Sequence, residues 1–463
     1  MHASKSSCKR LSERKEDGTL VKYYAELTMT QTMANELRDQ MDAGKVIQKG
    51  GEYPTYGAQN GLVAVDMKGV AYENLLWEQL LDQMTWDEQV DLLSNGRHRT
   101  QAVESIAKPS TGDENGPNGL SQTYSTKGAG SRFSGPTNPY GERVDDPDIK
   151  RPGDPRDKVT YTTTGFSSNG VLAATFNREI AAKVGKQIGE EGYWAGMSGL
   201  LGGGFNILRS PYAGRTAEYY SEDAMLTGLI GAPETAAIES MGVHCFVKHC
   251  ALNESETGRH GVQTWVTEQA LRENYLRAFE LVFEDGGAYN VMTTFSRFGT
   301  IAGANSTALG KDWLRGEIGM PGIVETDCAG DMTDGKHGEA YVSRIVNVYT
   351  GATDLNEYNY GADDPDYTGG TYTFKHFAPV EAGGTGEYGN MGQAMREACK
   401  RIIYAAVNSN AICGYSSATK VIRVTPPWQD MMNKALMGAT VFFGLSVAFC
   451  VIDGLVGLAR KKK

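Results

Sequence analysis

The chain has 463 residues, 57 of them glycine, and a formal net charge of −11. That length suits one barrel-sized domain with appendages, and the acidity, with no long basic stripe to offset it, argues against nucleic acid as a partner. Seven cysteines, at 8, 245, 250, 328, 399, 413 and 450, are odd in number and scattered, so neither a disulfide framework nor a zinc site is expected and no cofactor is called for.

Residues 1–69 are weakly patterned, and Met1 to Lys22 is polar and basic without the apolar centre of a secretory signal. Regular alternation starts at about residue 70. A helix is expected over Asn74 to Met84 with Leu75, Leu76 and Leu80 on one face, followed by a Thr85–Glu88 capping box that opens the next helix. Ser121 to Ser168 is rich in Gly, Pro, Asp and Thr and reads as a long loop insertion. Asn177 is placed to cap a helix carrying Ile180, Val184 and Ile188. The triple glycine at 202–204 is not a phosphate loop, because no Gly-Lys-Ser/Thr follows it.

The chemistry-bearing residues come next. Asn206 to Pro211 leads into Gly214-Arg215, and Gly242 to Phe246 reads as a buried strand with Lys248 and His249 at its end and Arg259 in the following loop. Cys245 and Cys250 read as buried strand residues rather than ligands. A helix from Thr267 to Asp285 turns Leu271, Tyr275, Phe279 and Val282 inward and closes on Gly286-Gly287. Gly322 to Asp327 is a short apolar strand that ends abruptly in a carboxylate. In a barrel of parallel strands the C-terminal strand ends form the active site, where a catalytic acid would sit. Taken singly, Asp327 reads equally as a helix cap and Arg215 as a partner for Glu218 or Glu222. Taken together, Arg215, Lys248, His249 and Arg259 suit a polyhydroxylated ligand, since each hydroxyl accepts one fixed hydrogen bond.

Residues 356 to 389 form an acidic, Tyr- and Gly-rich loop positioned to roof such a site, and Arg396 to Val407 is a last amphipathic helix. Ala435 to Ala459 holds a single charge, Asp453, and is long enough to cross a bilayer. It runs into the basic tail 460–463. The positive-inside rule puts that tail in the cytoplasm and residues 70–415 on the other side, as a single-pass protein of the cell membrane. Asp453 lies near the basic end, within reach of Arg460 or a lysine.

At this point the residues resemble a family. Gly116-Pro117-Asn118-Gly119, Pro211 to Asp223, Lys248-His249 through Arg259, and Thr326-Asp327 occur in the order found in glycoside hydrolase family 3, over roughly residues 70 to 355. The resemblance implies a (β/α)8 TIM-type barrel with long loop insertions, acting as the catalytic domain of a retaining β-glycosidase of the β-glucosidase-like kind. It implies Asp327 as nucleophile, with Asn115, Arg215, Lys248, His249 and Arg259 holding the sugar of a β-linked oligosaccharide or glycoside. Three positions depart from the family pattern. Asn115 stands where an Asp is usual, Cys328 where a Trp commonly follows the nucleophile, and Phe295 where a Tyr often lies.

Retention needs two carboxyl groups about 5 Å apart, one nucleophile and one acid/base. Asp327 must stay ionised, which Lys248, Arg215 and Arg259 favour. In the resembled two-domain enzymes the acid/base is a Glu on a separate α/β sandwich domain. The expectation is therefore that it lies outside this chain, and that residues 1–69 are a linker or the remnant of an upstream domain in a domain-permuted arrangement. Two other classes stay open: a membrane-anchored sugar-binding protein without turnover, and an unrelated barrel lyase or aldolase using Lys248 as a Schiff-base amine.

Overall fold

A computed structural model describes residues 43–120, 163–257, 259, 262–327, 344–356, 374–422 and 427–461 almost without a break, with shorter pieces at 12–22, 124–125 and 160–161. Cys8, Cys328, residues 357–373 of the acidic loop, most of the 121–168 insertion and the side chains of Asp453 and Arg460 lie outside the described residues. The chain divides into two compact units, Met1–Ser417 and Ala418–Lys463.

The first unit is built on a six-stranded sheet: β1 (Asp113–Asn115), β2 (Gly199–Leu201), β3 (His244–Cys250), β4 (Asn290–Thr293), β5 (Val324–Thr326) and β6 (Leu355–Asn356). Every neighbouring pair is parallel, and the spatial order equals the chain order. A parallel sheet that always adds its next strand on the same side, with right-handed crossovers, curls toward a barrel. Among the described residues β1 and β6 do not pair, so these strands form a curled half-barrel.

Side chains alternate across the sheet as a pleat requires. Leu200, Cys245, Val247, Val291 and Val324 face one apolar core, whereas Leu201, Phe246, Met292 and Leu355 face the other. Register fixes the rest: Asp113, Gly199 and His244 are partners in one row, so Asp113 and His244 lie on the Phe246 face. Lys248, two residues beyond Phe246, and Asp327, three beyond Val324, continue that face to the C-terminal strand ends. Cys245 and Cys250 are buried free thiols, as the strand reading requires.

The helices follow their sequence signals closely at the ends and less closely in their faces. Thr85 and Glu88 form the reciprocal capping box that opens α2 (Trp86–Ser94): the Thr85 N–H donates to Glu88 Oε2 at 3.0 Å and the Glu88 N–H to Thr85 Oγ1 at 3.2 Å. Before it, α1 (Leu76–Leu81) corrects the expected face. Leu75 and Leu76 are exposed, and Trp77, Leu80, Leu81 and Met84 are buried. Their i, i+3, i+4, i+7 spacing was the truer periodicity. Asn177 caps α3 (Arg178–Ala195) by accepting from the Glu179 and Ile180 N–H groups. Its buried stripe is Ala181, Gly185, Ile188, Gly189 and Gly192, leaving Ile180 at the surface, because small residues let α3 approach α4 (Ala224–Glu239) closely.

The helix expected over 267–285 starts at a Thr267 cap, passes through wider π-type turns at Leu271–Leu276 and ends as α5 (Arg277–Gly286), with Gly287 at φ 69°. Phe279 and Val282 are buried within it. After α6 (Arg344–Thr350), the last helix of the unit, α7 (Gly389–Val407), is longer than its amphipathic half suggests. Its first turn meets residues 50–54, and a Cβ on Gly389 would fall 2.2 Å from the Gly51 carbonyl oxygen.

The second unit is one helix, α8 (Pro427–Lys461). Its segment Met431–Ile452, with mean hydropathy 2.3, is long and apolar enough to cross a membrane.

Candidate active site

The site is assembled where β1, β2 and β3 end. Strand β3 runs parallel to β4 through Phe246 and Val247, then loses register until Cys250. Within this break the Lys248–His249 peptide is cis. Lys248 turns its backbone the other way: its N–H donates to the Gly203 carbonyl at 3.0 Å and its carbonyl accepts from Phe205 at 2.7 Å. The triple glycine is also crowded on its side-chain side: a Cβ on Gly203 would meet the Phe205 ring at 2.9 Å and one on Gly204 the Glu218 carbonyl oxygen at 2.9 Å. Lower in the sheet a Cβ on Gly199 would meet side chains, Asp113 Oδ1 at 2.2 Å and His244 Nε2 at 2.7 Å.

All six site residues expected from the sequence fall into one connected network. Lys248 Nζ reaches Asn115 Oδ1 at 3.5 Å and Glu218 Oε1 at 3.9 Å. Glu218 also holds Arg215, with Oε2 3.0 Å from Nε. The alternative reading of Arg215, as a partner of Glu218, is therefore true as well, and the pair serves to aim the guanidinium. From Nη1 it reaches the His249 imidazole, 2.7 Å from Nε2 and 3.1 Å from Nδ1. The His249 Nε2 is in turn 3.5 Å from Asp327 Oδ2. On the other flank Arg259 Nη1 donates to Glu256 Oε2 at 2.8 Å, and Glu256 Oε1 lies 3.7 Å from Arg215 Nε. The Arg259 guanidinium covers the Phe295 ring at 4.4 Å, a cation–π contact at the position where the family pattern has a tyrosine.

Electrostatics modify one expectation. Burial first, and then the charges of Arg215, Lys248 and Arg259, hold the His249 imidazole well below its usual pKa, so it is neutral. His249 is thus a hydrogen-bonding group among cations and not a further cation. Arg215 Nη1 and Asp327 Oδ2 both meet the imidazole at Nε2, at 2.7 Å and 3.5 Å.

Five residues outside the expected site set hold the network in place. Glu218 and Glu256 bridge its cations. Asn253 donates to Glu256 Oε1 at 3.1 Å, and the buried Tyr219 hydroxyl fixes Asn253 by donating to its carbonyl at 2.8 Å. Asn206, on the loop after β2, bonds the His249 backbone and Glu254. The signal for Glu218 and Glu256 was present, since each stands three residues from the arginine it holds. Asn206 and Asn253 offer no such spacing. Glu254 is buried, which pushes its carboxyl up to about 7 against the hydrogen bond from Asn206.

A curled parallel half-barrel thus gathers two arginines, a lysine, a neutral histidine and a terminal carboxylate at its C-terminal end. Residues 156–345 match the model of the glycosyl hydrolase family 3 N-terminal domain. The chain is 37% identical over 179 residues to a β-glucosidase of Ruminococcus albus, an alignment covering 38% of this chain and 19% of that enzyme. With β-glucosidase B of Emericella nidulans the identity is 31% over 255 residues, covering 55% and 26%. In three dimensions it is similar to β-glucosidase 3B from Thermotoga neapolitana in complex with glucose, with a TM-score of 0.56 at 26% identity over 73% of this chain and 43% of that one. Residues 156–345 are thus similar to the glycosyl hydrolase family 3 N-terminal domain, and the chain spans less than half the length of these relatives.

Proposed function

We propose that this chain is the barrel part of a retaining β-glycosidase, β-glucosidase-like in substrate, with Asp327 as nucleophile. The observation that supports this best is the contact chain Arg215–His249–Asp327, which sets a strand-end carboxylate 3.5 Å from a neutral imidazole that itself lies among three cations. In this reading Asn115, Arg215, Lys248, His249 and Arg259 take the hydroxyls of the sugar whose bond is cleaved. The Asp327 carboxylate attacks the anomeric carbon, the glycosidic C–O bond breaks, and the leaving oxygen requires a proton. Glu218 and Glu256 are committed to holding arginines, so neither is assigned that proton. We assign it to a carboxylic acid outside this chain, on an α/β sandwich domain. Water then hydrolyses the glycosyl ester with the same acid acting as base. We further infer that the half-barrel belongs to a (β/α)8 barrel and that α8 anchors it in a membrane, with the barrel on the extracytoplasmic side.

The test separates the two carboxyl roles. A 2-fluoro glycoside with a dinitrophenolate leaving group needs no acid to depart, so it should accumulate as an adduct on Asp327, and Asp327→Ala should abolish it. Natural disaccharides, whose leaving groups need a proton, should be hydrolysed hardly at all by this chain alone. Label on another carboxylate, such as Glu254 or Glu325, would falsify the assignment. A second reading, a sugar-binding protein without turnover, is favoured by the neutral amide of Asn115 beside Lys248. It predicts monosaccharide binding with no adduct at all.

A further inference from the structure

His249 depends on a support that the proposed chemistry does not use. Its neighbours in β3 satisfy their backbone groups with backbone: Lys248 with Gly203 and Phe205, and Cys250 by accepting from the Thr294 N–H at 3.2 Å. His249 falls inside the register break with β4, so a strand ladder does not reach it. Both of its backbone groups go to one side chain instead. The His249 N–H donates to Asn206 Oδ1 at 2.8 Å, and Asn206 Nδ2 donates to the His249 carbonyl at 3.0 Å. The second Nδ2 proton points to Glu254 Oε1 at 3.3 Å. All three residues are buried, with Asn206 and His249 at 1% exposure and Glu254 at 6%. A buried peptide with no partner loses free energy comparable to a hydrogen bond, so this arrangement decides where the His249 backbone sits.

The amide has a definite sense. Only an Asn or Gln can accept from an N–H and donate to a carbonyl with one planar group, and the acceptor on Glu254 selects which end of the amide is which. Reversing the amide would set its oxygen against the His249 carbonyl and against Glu254. We propose that Asn206 and Glu254 are positioning residues that together fix the backbone of His249, and through it the imidazole between Arg215 and Asp327. Neither touches the site's ligand face. Asn206 works as the clamp and Glu254 orients the clamp. The substitution that separates charge from orientation is Glu254→Gln, whose amide oxygen still accepts from Nδ2. Glu254→Leu removes the acceptor.

The inference rests on the sugar-site reading for one of its two readouts only. Full-length chain in detergent micelles, carrying labelled histidine, gives the first, with the His249 imidazole resonance assigned by its loss in His249→Gln. Asn206→Leu and Glu254→Leu should shift or split that resonance, whereas Glu254→Gln should leave it in place. The second readout is calorimetric titration with glucose. Asn206→Leu and Glu254→Leu should weaken binding about tenfold, the scale of one or two lost hydrogen bonds, and Glu254→Gln should bind as the parent does. A native His249 resonance in both leucine variants overturns the proposal, as does equal disturbance in Glu254→Gln and Glu254→Leu. If the parent chain binds no glucose, the sugar-site reading fails while the resonance still decides the clamp. If Asn206→Leu does not fold, the two Glu254 variants carry the comparison.

Discussion

Lys248 is the residue on which the sugar-site reading is easiest to test. Its ammonium is almost fully buried at the strand end, 3.5 Å from Asn115 Oδ1 and 3.9 Å from Glu218 Oε1. An ammonium carries three N–H donors, and a ligand hydroxyl can accept from one of them. Lys248→Ala should therefore weaken binding of a monosaccharide-like inhibitor by about 1–3 kcal/mol, read by calorimetry on the folded variant. Unchanged affinity would remove Lys248 from the site. At this scale the sequence carried much of the answer: Arg215, Lys248, His249, Arg259, Asn115 and Asp327 were all visible from strand ends and motif order, and they meet. Their charge states were not visible. The neutrality of His249 comes from burial and from three cations distant in sequence, and no local pattern encodes either.

Among the elements, the join between the sheet and α7 is made by one carboxylate. Asp354, just before β6, accepts from Arg315 Nη2 at 2.5 Å, from Arg401 Nη1 on α7 at 2.9 Å and from the Val324 N–H on β5 at 2.9 Å. Removing it takes the carboxylate from the buried Arg315 Nη2 and leaves Arg401 with Glu397, so Asp354→Ala should cost about 3–5 kcal/mol in urea unfolding of the first unit. Behind the sheet, Glu234 on α4 is fully buried and its carboxyl is raised to about 8 by that burial, opposed by the Tyr220 hydroxyl that donates to it at 2.7 Å. In the unfolded chain its pKa is near 4.5. A group raised on folding contributes stability fully present below the unfolded value and lost as pH rises through the folded one. The thermal midpoint should thus fall between about pH 4.5 and pH 8, and Glu234→Gln should flatten that fall. An equal slope in the variant would exclude Glu234 as its source. Element boundaries were partly legible: the caps at Thr85 and Asn177 announced their helices because capping is local. The buried face of α1 was misassigned, because Leu75 and Leu76 read as core until packing chose Trp77.

For the whole molecule the decisive prediction concerns α8. The complete chain should sediment with membranes and resist a carbonate wash, whereas a chain shortened to end at Ser417 should stay in the aqueous phase, since about 20 apolar residues span the hydrocarbon core. Partition of the complete chain into the aqueous phase would contradict the anchor.

The sequence by itself determined the helix caps at Thr85 and Asn177, the apolar terminal helix and the polar residues that follow the strand ends. Each of these rests on short-range physics: side-chain periodicity, capping hydrogen bonds, or a polar group at the end of an apolar run. Only the tertiary structure decided that His249 is neutral and that its backbone is held by Asn206 in place of a strand ladder. These depend on contacts across 34 to 43 residues of chain. They also depend on how far burial removes a group from water, and that is a property of the packed fold alone.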